Sequence, residues 1–265
     1  MNLIMPFDSE TSGLPEWKIP SDDPSQPHIV QLGSILVDED TREVKERFDV
    51  LIKPDGWSWD HTCEAFKTHG ITMERAMDEG VPEKDAIDEL LAMWSKCGFR
   101  IGHNVNFDNR IVRIAIKRYF GVEIADKWKA GESKCTGLLS KKICKMPPYG
   151  RYGWKMPKLT EAYKFFTGTE LENAHSAMAD TEGCLAVYWG IVDHVDTDEA
   201  PSTASKPQAR QSMGLEDSFK FGKNKGKQLE DVITDDPGYI EWVISEGVVI
   251  FDEAAMEAIT RKGVA

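Results

Sequence analysis

Phe7-Asp8-Ser9-Glu10-Thr11-Ser12-Gly13-Leu14 closes the first apolar run of the chain, residues 2–7, and its spacing decides how the fold is read. The run predicts a buried strand. Side chains on a strand alternate between faces, so Asp8 and Glu10 point the same way. Two carboxylates so placed repel each other, and a pKa rises unless a cation lies between them. Hard oxygen ligands of this kind suit Mg²⁺ or Mn²⁺. Two solvated carboxylates where a strand meets a turn would look the same, so the pair alone leaves both readings open.

The pattern around this stretch is mixed α/β. Residues 29–37 (IVQLGSILV) and 44–52 (VKERFDVLI) read as strands, with the polar residues 38–42 as the turn between them. Ile87, Leu90, Leu91 and Trp94 form one apolar stripe at helical spacing after Pro82. Residues 99–102 fit a short strand. Residues 104–119, 159–166 and 177–195 fit helices. Three strands followed by helices alternating with short strands predict a mixed sheet with helices packed on it.

Two further acidic motifs fall on those helices. Ile101-Gly102-His103-Asn104-Val105-Asn106-Phe107-Asp108 puts Asp108 in the first turn of a helix, where an acid also simply stabilises the N-terminus. Asn173-Ala174-His175-Ser176-Ala177-Met178-Ala179-Asp180 puts Asp180 at the head of a stripe continued by Cys184, Val187 and Ile191. A carboxylate leading an apolar stripe faces inward and needs a partner. His175 lies five residues earlier, about 140° around a helix, so it belongs to the loop or first turn before the helix.

D-x-E, then H-N-x-x-F-D, then H-x-x-x-x-D, in this order over residues 1–195, resembles the DEDDh family of 3′→5′ exonucleases. Residues 29–33 (IVQLG) and 69–72 (HGIT) look similar to the family as well. Ser12 stands where a second Thr is usual, and Pro6 where an apolar residue is usual; Pro6 removes a ladder N–H. The resemblance implies an RNase H-like α/β domain with a central five-stranded mixed sheet flanked by helices. It implies that Asp8, Glu10, Asp108 and Asp180 bind two divalent ions, Mg²⁺ or Mn²⁺, about 4 Å apart. It implies His175 as general base toward water and nucleoside 5′-monophosphates as products. Thr11, Leu14, Asn104 and Phe107 are candidates for holding the terminal nucleotide, with Leu14 as an apolar wedge; each could equally be a turn or core residue.

Charge sharpens the partner. The 265 residues carry 32 Lys+Arg against 45 Asp+Glu, a net −13. Yet residues 127–158 hold nine basic residues and one acidic one, so this segment is +8 and the rest of the chain −21. Lys141, Lys142, Arg151, Tyr152 and Trp154, with Trp128 and Tyr149, give the cations and rings expected of a single-strand channel. A solvated charge run is the plainer alternative. The expected substrate is DNA 3′ ends, with RNA possible, since no 2′-hydroxyl contact is legible. A non-catalytic polymerase-accessory subunit is the rival from another class; it would tolerate loss of an acidic ligand, and all four acids are present.

Residues 196–214 (DTDEAPSTASKPQARQSMG) are poor in large apolar residues and read as a flexible linker between residues 1–195 and a small α+β module, 215–265. That module, with its FKFGKNKGK run (219–227), resembles the tail of some exodeoxyribonuclease X-like nucleases. Its lysines could grip a phosphate backbone or merely blunt a strand edge. Gln211-Ser212-Met213-Gly214-Leu215 is faintly similar to a sliding-clamp peptide, a weak hint of polymerase or clamp association. Five scattered cysteines without a C-x-x-C pair predict reduced thiols in a cytoplasm. No apolar run approaches the ~18 residues of a membrane span, and residues 1–7 lack the basic start of a secretory signal.

Overall fold

The computed structural model describes residues 2–150, 153–198, 213–219, 223–245, 249 and 251–262. The chain divides into two compact units, Met1–Ala200 and Pro201–Ala265.

In the first unit the elements follow as β1 (Leu3–Thr11), β2 (Ile29–Asp38), β3 (Val44–Lys53), α1 (Glu64–His69), α2 (Met73–Glu79), β4 (Val81–Pro82), α3 (Glu83–Trp94), β5 (Phe99–Gly102), α4 (Asn106–Phe120), α5 (Val122–Ala130), β6 (Ser133–Cys135), α6 (Thr136–Cys144), β7 (Met146–Gly150), β8 (Gly153–Lys155), α7 (Leu159–Thr167) and α8 (Ala177–Asp198). The main sheet runs β4-β3-β2-β1-β5-β6. β1, β2 and β3 are antiparallel neighbours, whereas β1, β5 and β6 run parallel. The mixed sheet flanked by helices is as expected, but it has six strands, not five. The extra strand, β4, pairs only Val81 and Pro82 with β3, too short to leave a period in the sequence.

Both faces of the sheet are covered. β2 is buried at every position, which explains its unbroken apolar run. Met5, Phe7 and Leu32 pack with α3, α4 and Trp128 on one face. Ile4, Ile35, Val37 and Ile101 meet Cys184 and Tyr188 of α8 on the other. Pro6 does not disturb β1: its pairing to β2 keeps one register from Ile4↔Val37 to Phe7↔Ser34, and the Ser34 hydroxyl donates to the Pro6 carbonyl at 3.1 Å. The register shifts only between Glu10 and Thr11, at the end of the acidic stretch, where bulges commonly re-aim side chains.

Gly33 sets how closely α8 approaches. A Cβ there would lie 2.7 Å from the Ala177 carbonyl carbon and oxygen and 2.8 Å from the Met178 nitrogen. The obstruction is backbone and cannot rotate away. Gly33→Ala is expected to push the start of α8 off the sheet, at a cost of about 1–3 kcal/mol. A thermal melt should show Tm lowered by roughly 3–10 °C; an unchanged Tm would mean that α8 slides freely.

The charged segment 127–158 is not one surface. Trp128 is fully buried, edge-on to Phe7 and Trp94 and beneath the Arg100 guanidinium at 3.9 Å, so it cannot stack on a ligand. Lys127 pairs with Glu123, Lys155 with Glu161, and Lys134 lies 3.5 Å over the Phe99 ring. Residues 146–154, despite their prolines and glycines, include the hairpin β7–β8, where Tyr149 and Trp154 meet edge-to-face at 4.9 Å. Arg151 and Tyr152, expected to contact the substrate, lie outside the described residues.

The second unit contains α9 (Leu229–Asp235), α10 (Pro237–Ser245) and α11 (Glu253–Arg261) around Phe219, Leu229, Ile240 and Ile259. Both ends of the expected linker are ordered. α8 continues to Asp198, and Met213 belongs to the core of the second unit, bridged to Phe251. Of the proposed clamp-like peptide, Gln211 and Ser212 lie outside the described residues. The lysine-rich run closes as a turn, Phe219 N donating to Lys227 O at 3.0 Å, and Lys223 is engaged with Asp236 at 2.8 Å. Lys225 and Lys227 are exposed.

Candidate active site

The acidic residues meet at the carboxyl ends of the parallel strands β1 and β5, where open α/β sheets commonly bind ligands. Asp8 and Glu10 project from β1 toward the α8 side. Ser9, between them, points the other way and reaches α4: its backbone N–H and its hydroxyl both donate to Asp108 Oδ1, at 3.1 and 2.8 Å. Asp108 itself is 3% exposed in the first turn of α4. Asp180 stands one turn into α8, half-buried, and accepts the His175 backbone N–H at 3.3 Å from each oxygen. His175 takes a left-handed conformation, φ 71°, just before the helix, and its ring is exposed. Ligand atoms of Glu10, His175 and Asp180 lie within 4.8 Å of one another.

Electrostatics follow from that crowding. Burial, then Asp108, Asp180 and Glu10, push the Asp8 carboxyl well above the usual range. Burial with Asp180 and Asp108 raises Glu10 to about 8. Burial raises Asp108 to about 7 against the opposing pull of the Ser9 hydrogen bonds. Asp180 is raised by burial too, with the His175 contacts opposing. No Lys or Arg among the described residues offsets these four acids. An all-oxygen set, buried, uncompensated and next to an imidazole, fits hard divalent cations.

Neighbouring groups hold this arrangement. Gln31 Oε1 accepts the Ala177 N–H at 3.2 Å, one of the donors a helix start leaves unpaired. Thr181 donates to Ala177 O at 2.7 Å and Gly33 O at 3.3 Å. His103 spans Thr136 Oγ1 and Pro157 O, 2.9 Å from each, and burial holds its pKa below the ordinary value. The sequence marks Gln31 only as part of the IVQLG stretch and Ser9 only as the residue between two acids; their roles, and that of Thr181, depend on contacts between elements.

A cleft of about 340 Å³ opens beside Glu10, lined among others by Ser9, Thr11, Leu14, His69 and Phe107. Thr11 turns its hydroxyl to Gly13 O at 2.8 Å, and Leu14 is 81% exposed at the rim. His69, from the HGIT stretch, accepts the Ile71 N–H at Nδ1, 3.0 Å, and burial lowers its pKa. Of the expected nucleotide-holding residues, Thr11, Leu14 and Phe107 line this cleft. Asn104 does not; it is exposed at φ 66° in the turn before α4. Lys141 and Lys142 on α6 and Trp154 on β8 also lie outside its lining.

A sheet that brings acids to its strand ends beside a lined cleft defines a mixed α/β domain with an acidic site at the carboxyl ends of its strands. The chain belongs to the RNase T exonuclease family, whose model matches residues 6–188. The model for the exodeoxyribonuclease X-like C-terminal region matches residues 219–246. Exodeoxyribonuclease 10 of Escherichia coli K12 is similar at 22% identity over 248 residues, covering 92% of this chain and 91% of the relative. The fold is shared with E. coli Exonuclease I in complex with a dT13 oligonucleotide, TM-score 0.58 at 21% identity. It is also shared with the zinc-bound form of its complex with single-stranded DNA, TM-score 0.58 at 20% identity. Each match covers 75% of this chain and 42% of the Exonuclease I chain, so this protein spans less than half of those neighbours. Among the described residues no helix is long and apolar enough to cross a membrane.

Proposed function

We propose that this protein is a divalent-metal-dependent 3′→5′ exodeoxyribonuclease that releases nucleoside 5′-monophosphates, chiefly from single-stranded DNA ends. The observation that carries the reading is the convergence of Asp8, Glu10, Asp108 and Asp180, from three separate elements, without a compensating Lys or Arg among the described residues. Those four side chains would hold Mg²⁺ or Mn²⁺. When bound, such cations acidify water and offset charge on the leaving 3′ oxygen. The remaining work falls to the chain. His175, exposed at the mouth beside Glu10 and Asp180, takes the proton from the attacking water. Asp180 fixes the backbone that carries that ring. Ser9 locks Asp108 against β1. Thr11, Leu14 and Phe107 enclose the terminal nucleotide.

Support for DNA comes from Exodeoxyribonuclease 10 and from the oligonucleotide-bound neighbours. On this reading residues 1–195 carry the chemistry, and residues 215–265 grip the strand through exposed lysines such as Lys225 and Lys227.

The test uses matched DNA and RNA oligonucleotides, single- and double-stranded, 5′-labelled, with Mg²⁺, Mn²⁺ or chelator. Single-stranded DNA is expected to shorten from its 3′ end, with the rate at least about a thousandfold lower in chelator. Chelator-resistant cleavage would overturn the metal assignment. Faster loss of RNA would replace the DNA reading by an exoribonuclease with the same site.

A further inference from the structure

Gln31 faces the acidic site but takes no part in the chemistry proposed for it. It stands directly opposite Glu10 in the β1–β2 pairing, so both side chains leave the sheet on the α8 side. It is buried, and it joins two other elements. Its Oε1 accepts the Ala177 N–H at 3.2 Å, and its Nε2 donates to Asp49 Oδ1 of β3 at 2.8 Å. Register explains the reach. Gln31 pairs with Leu51 while Gly33 pairs with Asp49, so Gln31 and Asp49 are diagonal neighbours on one face. A carboxamide can present either its oxygen or its NH₂ to a partner, whereas an ionised carboxylate only accepts. Asp49 therefore draws the NH₂ end and leaves the oxygen for Ala177. Reversed, the amide would aim a donor at a donor.

Ala177 is the residue through which β2 locates the segment carrying His175. Its N–H is held by Gln31, and its carbonyl accepts the Thr181 hydroxyl at 2.7 Å and rests where a Gly33 Cβ would lie. His175 is two residues earlier. Asn173 and His175 both take left-handed backbone, φ 55° and 71°, a conformation uncommon outside glycine that persists only where the surroundings hold it. The Asp180 carboxylate holds this segment at the His175 N–H, 3.3 Å from each oxygen, and Gln31 holds it at Ala177. A glutamate at position 31 could accept the same N–H, but it would place a further negative charge against Glu10 and Asp49. The neutral amide makes the bond without that repulsion.

We propose that Gln31, its amide oriented by Asp49, is a positioning residue that sets the place of the His175 ring against Glu10 and Asp180. The inference rests on the proposed nuclease reading for what that ring does, so one of its two readouts is independent of turnover. The first is hydrogen exchange of the Ala177 amide, followed by NMR in chelator. Exchange is expected to be about tenfold faster in Gln31→Leu and in Asp49→Ala. The second is kcat and KM on a 5′-labelled single-stranded deoxyoligonucleotide in Mg²⁺. Gln31→Leu is expected to lower kcat by about 10- to 100-fold, and Asp49→Ala by about tenfold, with KM changed by no more than about twofold. Asp49→Asn, which keeps an oxygen to accept the Nε2–H, should restore most of both readouts. Asp49 is exposed, so this pair of variants reads the amide's orientation even where Gln31→Leu fails to fold. Wild-type exchange at Ala177 in Asp49→Ala would overturn the proposal, as would faster exchange with an unchanged kcat. Faster exchange in variants of a protein that hydrolyses no DNA in Mg²⁺ or Mn²⁺ would leave the bracing of residues 175–177 standing and count against the nuclease reading instead.

Discussion

Asp8→Asn is expected to reduce turnover by at least about a thousandfold while making the metal-free protein more stable. The two effects have one cause. Asp8 is buried among Glu10, Asp108 and Asp180, so burial and then the three neighbouring acids disfavour its ionised form. Asn keeps the shape and removes the charge. Glu10 titrates near 8 in the folded protein against an ordinary 4.5, and Asp108 near 7 against 3.8. Because the folded state holds these protons more tightly, the stability linked to them is complete below about pH 4 and is lost as pH rises through 7 to 8. Metal-free wild-type protein should therefore gain Tm as pH falls from 8 to 5, as long as other groups are not yet titrating. Asp8→Asn should flatten that dependence and raise Tm at pH 8 by about 3–6 °C. Added Mg²⁺ should recover the same increment in the wild type, and less in the variant. A variant less stable than the wild type at pH 8 without metal would show that the acids are not in conflict, and the cation reading would lose its physical basis.

The sheet and the acidic positions were legible because both depend on short-range periods. Alternation along residues 7–10 put Asp8 and Glu10 on one face, and the 3.6-residue stripe through Cys184 and Val187 turned Asp180 inward. What depended on contact between distant elements was not legible. Gly33 looked like any strand glycine, yet Ala177 rests on it. The +8 segment looked continuous because charge was summed along the chain, whereas folding buried Trp128 and paired Lys127 and Lys155 elsewhere. The hairpin at 146–155 was hidden because its prolines and glycines signal turns more strongly than its two aromatic residues signal strands. The arginines of α4 hold residues 12–28, a contact between distant elements that no local period marks.

His175→Ala is expected to lower kcat by about 10²- to 10⁴-fold, the range for loss of a general base, while oligonucleotide affinity changes little. The geometry makes this substitution clean. Asp180 is held by the backbone N–H of residue 175 and not by its ring, so truncation leaves that carboxylate anchored. The left-handed backbone at 175 favours His or Asn over Ala, so His175→Asn serves as the control that keeps the conformation but cannot act as a base near neutral pH. Both variants should lose activity alike, and both should lose the acidic limb of the pH–rate profile that an imidazole base imposes. Free imidazole should return part of the rate to the alanine variant. Because the ring also lies within 4.8 Å of Glu10 and Asp180, it could instead bind a cation directly. The metal titration separates the two. A base leaves the Mg²⁺ concentration for half-maximal rate near its wild-type value, whereas a ligand raises it by about tenfold or more. A raised Mg²⁺ requirement with an unchanged pH profile would move His175 from proton transfer to metal binding and leave the attacking water without a base from this chain.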